Sequence, residues 1–213
     1  MFFPDFHTHF HQRNSVSILN THSSLDALHS RGIHPWHIDE NYKLKLHELE
    51  TDLQHPSCLA LGEIGLDKVC TTDFNLQRKL FIKQIEYSEK YNLPVIIHCV
   101  KASNELFQLK KEIKPSQKWI WHGFNKVHLL QQTLDIEIIP SFGEAILHNE
   151  SLRNELANLE SRQFLLETDT STLSIETIYK TVAQLRNQTI ESLQKEQINN
   201  WYYIFNSINY QLI

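Results

Sequence analysis

Short apolar runs alternate with longer segments of helical spacing along this chain of 213 residues. Such alternation is typical of an α/β protein with a parallel sheet. The predicted strands are Phe2–Thr8, Val16–Asn20, Ala27–Gly32, Cys58–Glu63, Pro94–Cys99, Lys118–His122, Glu137–Phe142 and Phe164–Thr168. Eight strands in a chain of this length predict a compact (β/α)8 barrel of the TIM type, near the lower end of its usual size range. The first three strands lie too close together for full helices between them, so the N-terminal region of the barrel is expected to be shortened.

Helical spacing is clearest between Asp73 and Asn92, and Asn92-Leu-Pro94 ends that helix. Similar patterns predict helices over Lys43–Leu53, Leu152–Glu160, Ile175–Arg186 and Ser192–Ile208. The last of these carries an apolar face made of Trp201, Ile204, Phe205 and Ile208, which is expected to pack on the barrel. No repeat or linker interrupts the pattern, so residues 1–213 are predicted to form a single domain.

The composition is that of a folded protein, with 41% apolar and 21% charged residues and a formal charge of −5. No overall positive field draws this chain toward nucleic acid, so a phosphodiester substrate would need bound cations and a few local basic groups. No apolar stretch approaches the roughly 20 residues that cross a bilayer, and no signal peptide is recognisable. We therefore expect the cytoplasm as the compartment. The three cysteines predict neither disulfides nor a structural zinc site, and Cys99 is expected to be a buried thiol.

Five apolar runs end on residue types that bind metal ions. Because side chains alternate along a strand, His7 and His9 share one face and can chelate one ion. The candidate ligands are His7, His9, Glu63, His98, His122 and Asp169. An isolated His-x-His is more often a pair of hydrogen-bonded polar residues, and a single strand-end histidine is as often a core residue. Convergence of several strand ends favours a metal site.

Other polar residues are expected around these ligands. Glu167 shares a face with Asp169 but lies one layer deeper, where it is suited to orienting a ligand. His34 is expected to contact substrate or to support a ligand, while His37 is equally well explained as surface. Nothing fixes the direction of His11. The remaining histidines are predicted to be solvated surface: His22, His29, His47, His55, His128 and His148.

The chain resembles the TatD family of metal-dependent hydrolases, which is related to the amidohydrolase-type barrels. The resemblance runs from Asp5 to about Phe205, with the motifs in the family's order. These are Gly32-Ile-His-Pro35, Gly62-Glu-Ile-Gly-Leu-Asp67, Gln77-Arg-Lys-Leu-Phe81, Leu93-Pro-Val-Ile-Ile-His98-Cys99, His122-Gly-Phe124, Glu167-Thr-Asp169, and Asn200 followed by Phe205.

The resemblance implies a (β/α)8 barrel with two adjacent divalent metal ions at its C-terminal face. It assigns His7, His9 and Asp169 to one ion and His98 and His122 to the other, with Glu63 as the bridge. Substrate-binding or ligand-orienting roles are further expected for His34, Asp67, Lys101 and Glu167. The family includes Mg-dependent deoxyribonucleases, and 3′–5′ action on single-stranded DNA is described for some members.

Several segments depart from the family pattern. Val100-Lys101 stands where an Arg commonly follows His-Cys, so Lys101 offers a phosphate one point charge instead of a bidentate fork. Asn125-Lys126 replaces a Ser-Gly, and Thr-Ser-Thr follows Asp169 in place of Ala-Pro. The segment before Gly32 is also shorter than usual. All six candidate ligands are present, so metal-dependent hydrolysis is predicted more directly than the substrate.

Three functions follow from this pattern. The first is a two-metal deoxyribonuclease with Zn²⁺, Mn²⁺, Mg²⁺, Fe²⁺ or Co²⁺ as the candidate ions and Asp169 and Glu63 as its catalytic carboxylates. The second is hydrolysis of an amide, ester or lactone in a small molecule, which the negative charge favours slightly. The third is a non-catalytic metal-binding module. DNA or a small ester or amide is the expected partner, with no membrane, and the chain is expected to be a monomer or a weak homo-oligomer.

Overall fold

The computed structural model describes residues 2–10, 14–21 and 27–205. Eight strands follow one another in a single sheet in the order of the chain, and the recorded strand pairs are parallel. They are β1 Phe3–Thr8, β2 Ser15–Asn20, β3 His29–Arg31, β4 Cys58–Asp67, β5 Val95–Val100, β6 Trp119–Trp121, β7 Ile138–Phe142 and β8 Leu165–Leu166. The predicted α/β class with eight parallel strands is confirmed.

Among the residues that the structure describes there are seven α-helices, of which five lie between successive strands from β3 to β8 and two follow β8. They are α1 Tyr42–Asp52, α2 Phe74–Tyr91, α3 Ser103–Ile113, α4 Leu130–Asp135, α5 Glu150–Asn158, α6 Ile175–Leu185 and α7 Ile190–Phe205. The sequence predicted all of these except α3 and α4, and the predicted end of the last helix at Ile208 lies outside the described residues. None of the described residues between β1 and β3 is helical, as the short spacing predicted. Within the same ranges, no helix combines the length and apolar character needed to cross a membrane.

Packing divides the chain into two compact units, which are described separately. The first unit contains Met1–Leu19, His122–Asp135 and Ile139–Ile213. The second contains Asn20–Trp121 and Ile136–Ile138.

In the first unit, β1 pairs in parallel with β2 on one side and meets the segment after β8 on the other. All six residues of β1 are buried. The Phe6 ring contacts Trp201 and Phe205 of α7, with ring centroids 5.5 and 6.0 Å away, and the Tyr179 hydroxyl of α6 donates to the carbonyl of Pro4 at 2.9 Å. The predicted packing face of α7 is therefore confirmed for Trp201, Ile204 and Phe205, and Ile208 lies outside the described residues.

In the second unit, β4 is a ten-residue strand buried along its whole length between β3 and β5. It extends four residues beyond the predicted end at Glu63. Two buried glutamines of α2 bind the backbone beside it. Gln84 accepts from the Ile33 amide at 2.7 Å, and Gln77 accepts from the Asp67 amide at 2.8 Å. These amide contacts hold the end of β4 and the segment after β3 against the same helix.

Gly65 has no side chain, and this allows β4 and β5 to lie close together. A Cβ atom on Gly65 would lie 1.8 Å from the carbonyl oxygen of His98, far inside van der Waals contact. Gly65 pairs with His98 in the parallel register of the two strands. The position of His98 in β5 therefore depends on a glycine in β4.

We expect Gly65→Ala to lower the free energy of unfolding by about 3 kcal/mol or more, since strands must separate to admit the methyl group. Urea denaturation measures the change. Gly123→Ala is the matched control, because Gly123 has a φ of 60° but open space around it. Its cost should stay near the 1–2 kcal/mol or so of a left-handed backbone. Equal stability of the two variants would contradict the proposed strand contact.

Candidate metal centre

The structure brings together three of the predicted ligands at the end of β1 in the first unit. The Nε2 atoms of His7 and His9 lie 3.6 and 3.5 Å from Oδ1 of Asp169. The backbone produces this convergence, because the Asp169 amide donates to the His7 carbonyl and the His9 amide donates to the Asp169 carbonyl, at 2.9 and 3.0 Å. His7 is fully buried, whereas the side chains of His9 and Asp169 are each 32% exposed. One side of the group therefore faces solvent.

His122 lies on the buried side of the same group. Its ring centroid is 4.6 Å from that of His7, and donor atoms of His7, His122 and Asp169 all lie within 4.8 Å of one another. The family resemblance instead assigns His122 to an ion shared with His98. The pairing of His122 with His98 stays a prediction.

Glu167 is buried behind His122, as its place in the alternation predicted. Its Oε1 accepts the Gly123 amide at 2.5 Å and lies 3.8 Å from Nδ1 of His122. Burial raises the pKa of Glu167, although His122 and His7 oppose that rise. A carboxylate in this position can fix the orientation of the His122 ring, the role predicted for it.

The second unit has a donor group of its own, made of His34, Glu63 and His98. Oε1 of Glu63 lies 3.6 Å from Nδ1 of His98 and 3.9 Å from Nε2 of His34. Donor atoms of the three residues fall within 4.8 Å of one another. His34 was predicted to contact substrate or to support a ligand, but its geometry also makes it a candidate ligand. Its Nδ1 accepts the Trp36 amide at 3.1 Å, which directs Nε2 toward Glu63.

Asp67 holds the opposite nitrogen of His98. Its Oδ2 lies 3.1 Å from Nε2 of His98 and accepts the indole N–H of Trp36 at 2.6 Å, while Oδ1 accepts the Val69 amide at 2.7 Å. Burial alone would raise the pKa of Asp67, but these donors lower it. Burial likewise opposes a charge on His98, yet Glu63 and Asp67 raise the pKa of its imidazole. A carboxylate behind a ligating imidazole fixes the ring and makes it a better donor.

Two residues that support the ligands were not predicted. The side-chain amide of Asn20, at the end of β2, donates to Oε2 of Glu63 at 2.7 Å within the second unit. In the first unit, the fully buried Asp5 accepts the amide and the hydroxyl of Thr168, at 3.0 and 2.7 Å, and burial raises its pKa to about 7. Each is a polar residue on a predicted strand, which was the available signal.

Most of the described histidines outside the donor groups lie at the surface, as predicted, but His29 does not. The prediction that His29 is solvated was wrong, because it lies in β3 and is fully buried. Its Nδ1 lies 2.7 Å from the Ala27 carbonyl oxygen. His37, His47, His128 and His148 are exposed, and His55 is half-buried.

Lys101 is exposed directly after β5. The cysteines, all within the described part of the chain, form no disulfide, and Cys99 is buried as predicted. His11 and His22 lie outside the described residues.

The donor groups fit a divalent metal ion. Metal–ligand bonds of about 2.1 Å at tetrahedral angles separate neighbouring ligand atoms by about 3.4 Å. The His7–Asp169 and His9–Asp169 contacts of 3.6 and 3.5 Å match that spacing, as does the His98–Glu63 contact of 3.6 Å. Imidazole nitrogens combined with one carboxylate suit Zn²⁺, Mn²⁺, Fe²⁺ or Co²⁺, whereas Mg²⁺ would need several waters. A small cavity of about 160 Å³ next to Asp169, also lined by Gly123, Gly143 and Glu167, leaves room for waters or a substrate group.

Imidazole and carboxylate donors on strand ends of an eight-stranded α/β fold are typical of metal-dependent hydrolases. A family model described as TatD related DNase matches residues 3–206. The chain therefore belongs to the TatD family, as the sequence motifs indicated.

Named relatives agree with this class. A protein of Escherichia coli named uncharacterized metal-dependent hydrolase YjjV is 23% identical over 194 residues, which are 82% of this chain and 75% of that protein. An uncharacterized metal-dependent hydrolase of Haemophilus influenzae is 28% identical over 197 residues, with the same coverage of 82% and 75%. The human protein named 3′-5′ RNA nuclease TATDN2 is 30% identical over 126 residues, which are 55% of this chain and 16% of that protein.

Solved structures share the fold. The crystal structure of the TatD homologue YjjV from Escherichia coli aligns with a TM-score of 0.73 at 21% identity, covering 92% of this chain and 78% of that one. A TatD family hydrolase from Entamoeba histolytica aligns with a TM-score of 0.71 at 20% identity, covering 84% and 74%. The predicted barrel fold is confirmed.

We expect Asp67→Asn to weaken metal binding about 10- to 100-fold, because an amide no longer holds His98 as a charged acceptor does. Titration of the metal-free protein with Zn²⁺ or Mn²⁺ in a calorimeter measures this. Asp73→Asn is the matched control, since it removes the same charge from an exposed residue that caps α2, and Asn caps equally well. Identical affinities in the two variants would exclude the supporting role of Asp67.

Proposed function

We propose that this protein hydrolyses phosphodiester bonds in single-stranded DNA from the 3′ end, with two divalent metal ions. The observation that carries the proposal is the presence of one compact donor group in each unit, at distances that suit a metal ion. Membership of the TatD family supports hydrolysis as the reaction, and the name of the human relative supports a nucleic-acid substrate.

In the first unit, His7, His9 and Asp169 would hold one ion, with His122 as a further donor. In the second unit, Glu63 and His98 would hold the other, with His34 as a further donor. When bound, such ions would supply a water of lowered pKa and polarise the phosphoryl oxygen.

Asp169 is the proposed proton acceptor. Its side chain is 32% exposed and lines the small cavity, so a water or a substrate oxygen can reach its carboxylate. Glu167 is fully buried and accepts a hydrogen bond from the Gly123 amide. It is therefore suited to orienting His122 and not to contacting substrate. In this scheme Asp169 orients the attacking water and takes its proton, while the imidazoles keep their ring positions.

Lys101 is the proposed phosphate contact. It is exposed directly after β5, three residues beyond His98 in the sequence, and its ammonium group carries one positive charge. A single ammonium attracts a phosphate without fixing its orientation. We therefore propose that substrate orientation depends on other contacts.

Hydrolysis of a small amide, ester or lactone is the second candidate function. The formal charge of −5 favours it, because a polyanionic substrate approaches a negative protein more slowly. The same donor groups serve either bond. Turnover of small esters or lactones together with no cleavage of oligonucleotides would select this function.

We expect Asp169→Asn and Glu63→Gln each to reduce the metal-dependent cleavage of a short single-stranded oligonucleotide by about 100-fold or more. Asp169→Asn removes the proton acceptor, and Glu63→Gln removes a charged ligand. The measurement is product formation from a labelled oligonucleotide with Mn²⁺ or Mg²⁺, with bound metal quantified in parallel.

Glu86→Gln is the control, since Glu86 is exposed and pairs only with Lys83 among the described contacts. It should retain full activity. Undiminished cleavage by purified Asp169→Asn or Glu63→Gln protein would refute the roles assigned to those carboxylates. RNA and DNA strands of one sequence, compared under the same conditions, identify the preferred sugar.

A further inference from the structure

We propose that Trp36 is a stacking platform for an unpaired base of the substrate, beside the donor group of the second unit. This inference rests on the proposed function and specifies the substrate as a strand with unstacked bases. Trp36 follows the Gly32-Ile-His-Pro35 motif and was assigned no role by the sequence. It is 62% exposed, whereas the other three tryptophans are at most 2% exposed.

The indole is held in place although most of its surface meets solvent. Its Nε1 donates to Oδ2 of Asp67 at 2.6 Å, and its main-chain amide donates to Nδ1 of His34 at 3.1 Å. An exposed aromatic ring that is free to rotate would lose entropy when it bound a ligand. The indole bond to Asp67 restrains the ring, and the main-chain bond to His34 restrains the backbone that carries it, so much of that cost is removed. The ring is therefore preorganised.

The ring is not covered by parallel stacking on its histidine neighbours. The His34 ring centroid is 5.0 Å away at an interplanar angle of 87°, and the His98 ring centroid is 5.7 Å away at 75°. Edge contacts of this kind fix a ring while leaving area for a flat partner. A base stacked on Trp36 would lie within one nucleotide of a phosphate at His98.

The cavity beside Trp36 suits a base better than a phosphate. It has a volume of about 620 Å³, and its lining includes the apolar side chains of Ile33, Ile38 and Leu49. Its charged groups are Arg31, Lys45, Asp39, Glu48 and Asp52, which makes three carboxylates against two cations. Lys45 lies 2.7 Å from Asp39, and Arg31 lies 3.5 Å from Asp52. The cavity therefore has no net positive charge that would attract a phosphate. Its carboxylates can accept hydrogen bonds from the amino group of a base.

Stacking on an aromatic side chain suits single-stranded nucleic acid. Every base has a π face, so such contacts tolerate different sequences, whereas in a duplex the faces are already covered by neighbouring bases. The proposed platform thus excludes duplexes without any basic groove. This matters for a chain with a formal charge of −5, which cannot hold a strand by charge alone.

Tryptophan fluorescence tests the proposal directly, because only Trp36 is exposed. In an Asp169→Asn background with Mn²⁺, a six-nucleotide single strand should quench the emission of Trp36. Trp36→Phe should remove this quenching while the buried tryptophans still emit. An oligonucleotide with a single abasic residue, moved along the strand, should fail to quench at one position.

Affinities of three variants separate stacking from support of the donor group. Trp36→Phe and Trp36→Ala both remove the indole donor to Asp67, so any effect through His98 is common to both. Only Trp36→Ala also removes the ring. We expect Trp36→Ala to bind the six-nucleotide strand about 5- to 150-fold more weakly than Trp36→Phe, equivalent to about 1–3 kcal/mol at 1.4 kcal/mol per tenfold. Tyr202→Ala, which removes an exposed aromatic ring of α7, should bind as tightly as its parent.

Each outcome distinguishes the two proposals. If the wild-type protein cleaves single strands but Trp36→Ala and Trp36→Phe bind equally well, the platform is wrong and the nuclease function stands. If no oligonucleotide binds or is cleaved with any metal, both are wrong. If duplexes and single strands quench Trp36 alike, the platform is also overturned.

Discussion

Two main-chain hydrogen bonds between the end of β1 and the segment after β8 determine the geometry of the first donor group. They join residues about 160 positions apart in the sequence and place Asp169 next to His7 and His9. The buried Asp5 strengthens the same junction by accepting both the amide and the hydroxyl of Thr168. Ordinary parallel pairing thus produces a metal-ligand geometry, and the side chains need only the correct alternation.

Both units support an imidazole with a buried carboxylate. Glu167 lies behind His122 in the first unit, and Asp67 lies behind His98 in the second. The two supports differ in their own partners. Glu167 is fully buried and accepts one amide, whereas Asp67 accepts an amide and an indole whose ring extends into solvent. The second unit therefore connects its donor group to an exposed surface, and the first unit does so through the half-exposed Asp169.

Much of the fold and of the placement of the candidate ligands was predictable, because apolar runs ending on His, Glu or Asp mark strand ends. The structure brings His7, His9 and Asp169 together, and it groups Glu63 with His98. Other features depend on three-dimensional neighbours. Asn20 supports Glu63 only through the spacing between β2 and β4, which single-strand alternation does not reveal. His29 lies in a predicted strand, but the polar sequence His29-Ser30-Arg31 gives no sign that this strand is buried, so surface was the wrong prediction.

Helices α3 and α4 were not predicted, for a different reason. The apolar residues of α3 that pack inward, Leu106, Phe107 and Leu109, lie close together amid lysines and glutamates, so the apolar face is short. The six residues of α4 give less than two turns of periodicity. No sequence pattern indicated a role for Trp36. Its place beside Asp67 follows from the path of the chain after Pro35, which the sequence motif does not specify.

The backbone at Asp169 limits which residue can hold an ion there. Its φ of 51° lies in the left-handed region, which aspartate and asparagine adopt far more readily than longer or branched side chains. Glutamate has the same charge and can bind the same metals, but it would be less suited to this backbone and its carboxylate would extend one bond further. The choice between two acids of the same charge is thus made by a torsion angle, and a search for distant members of this fold should treat the acid at this position as a conformational marker as well as a candidate ligand.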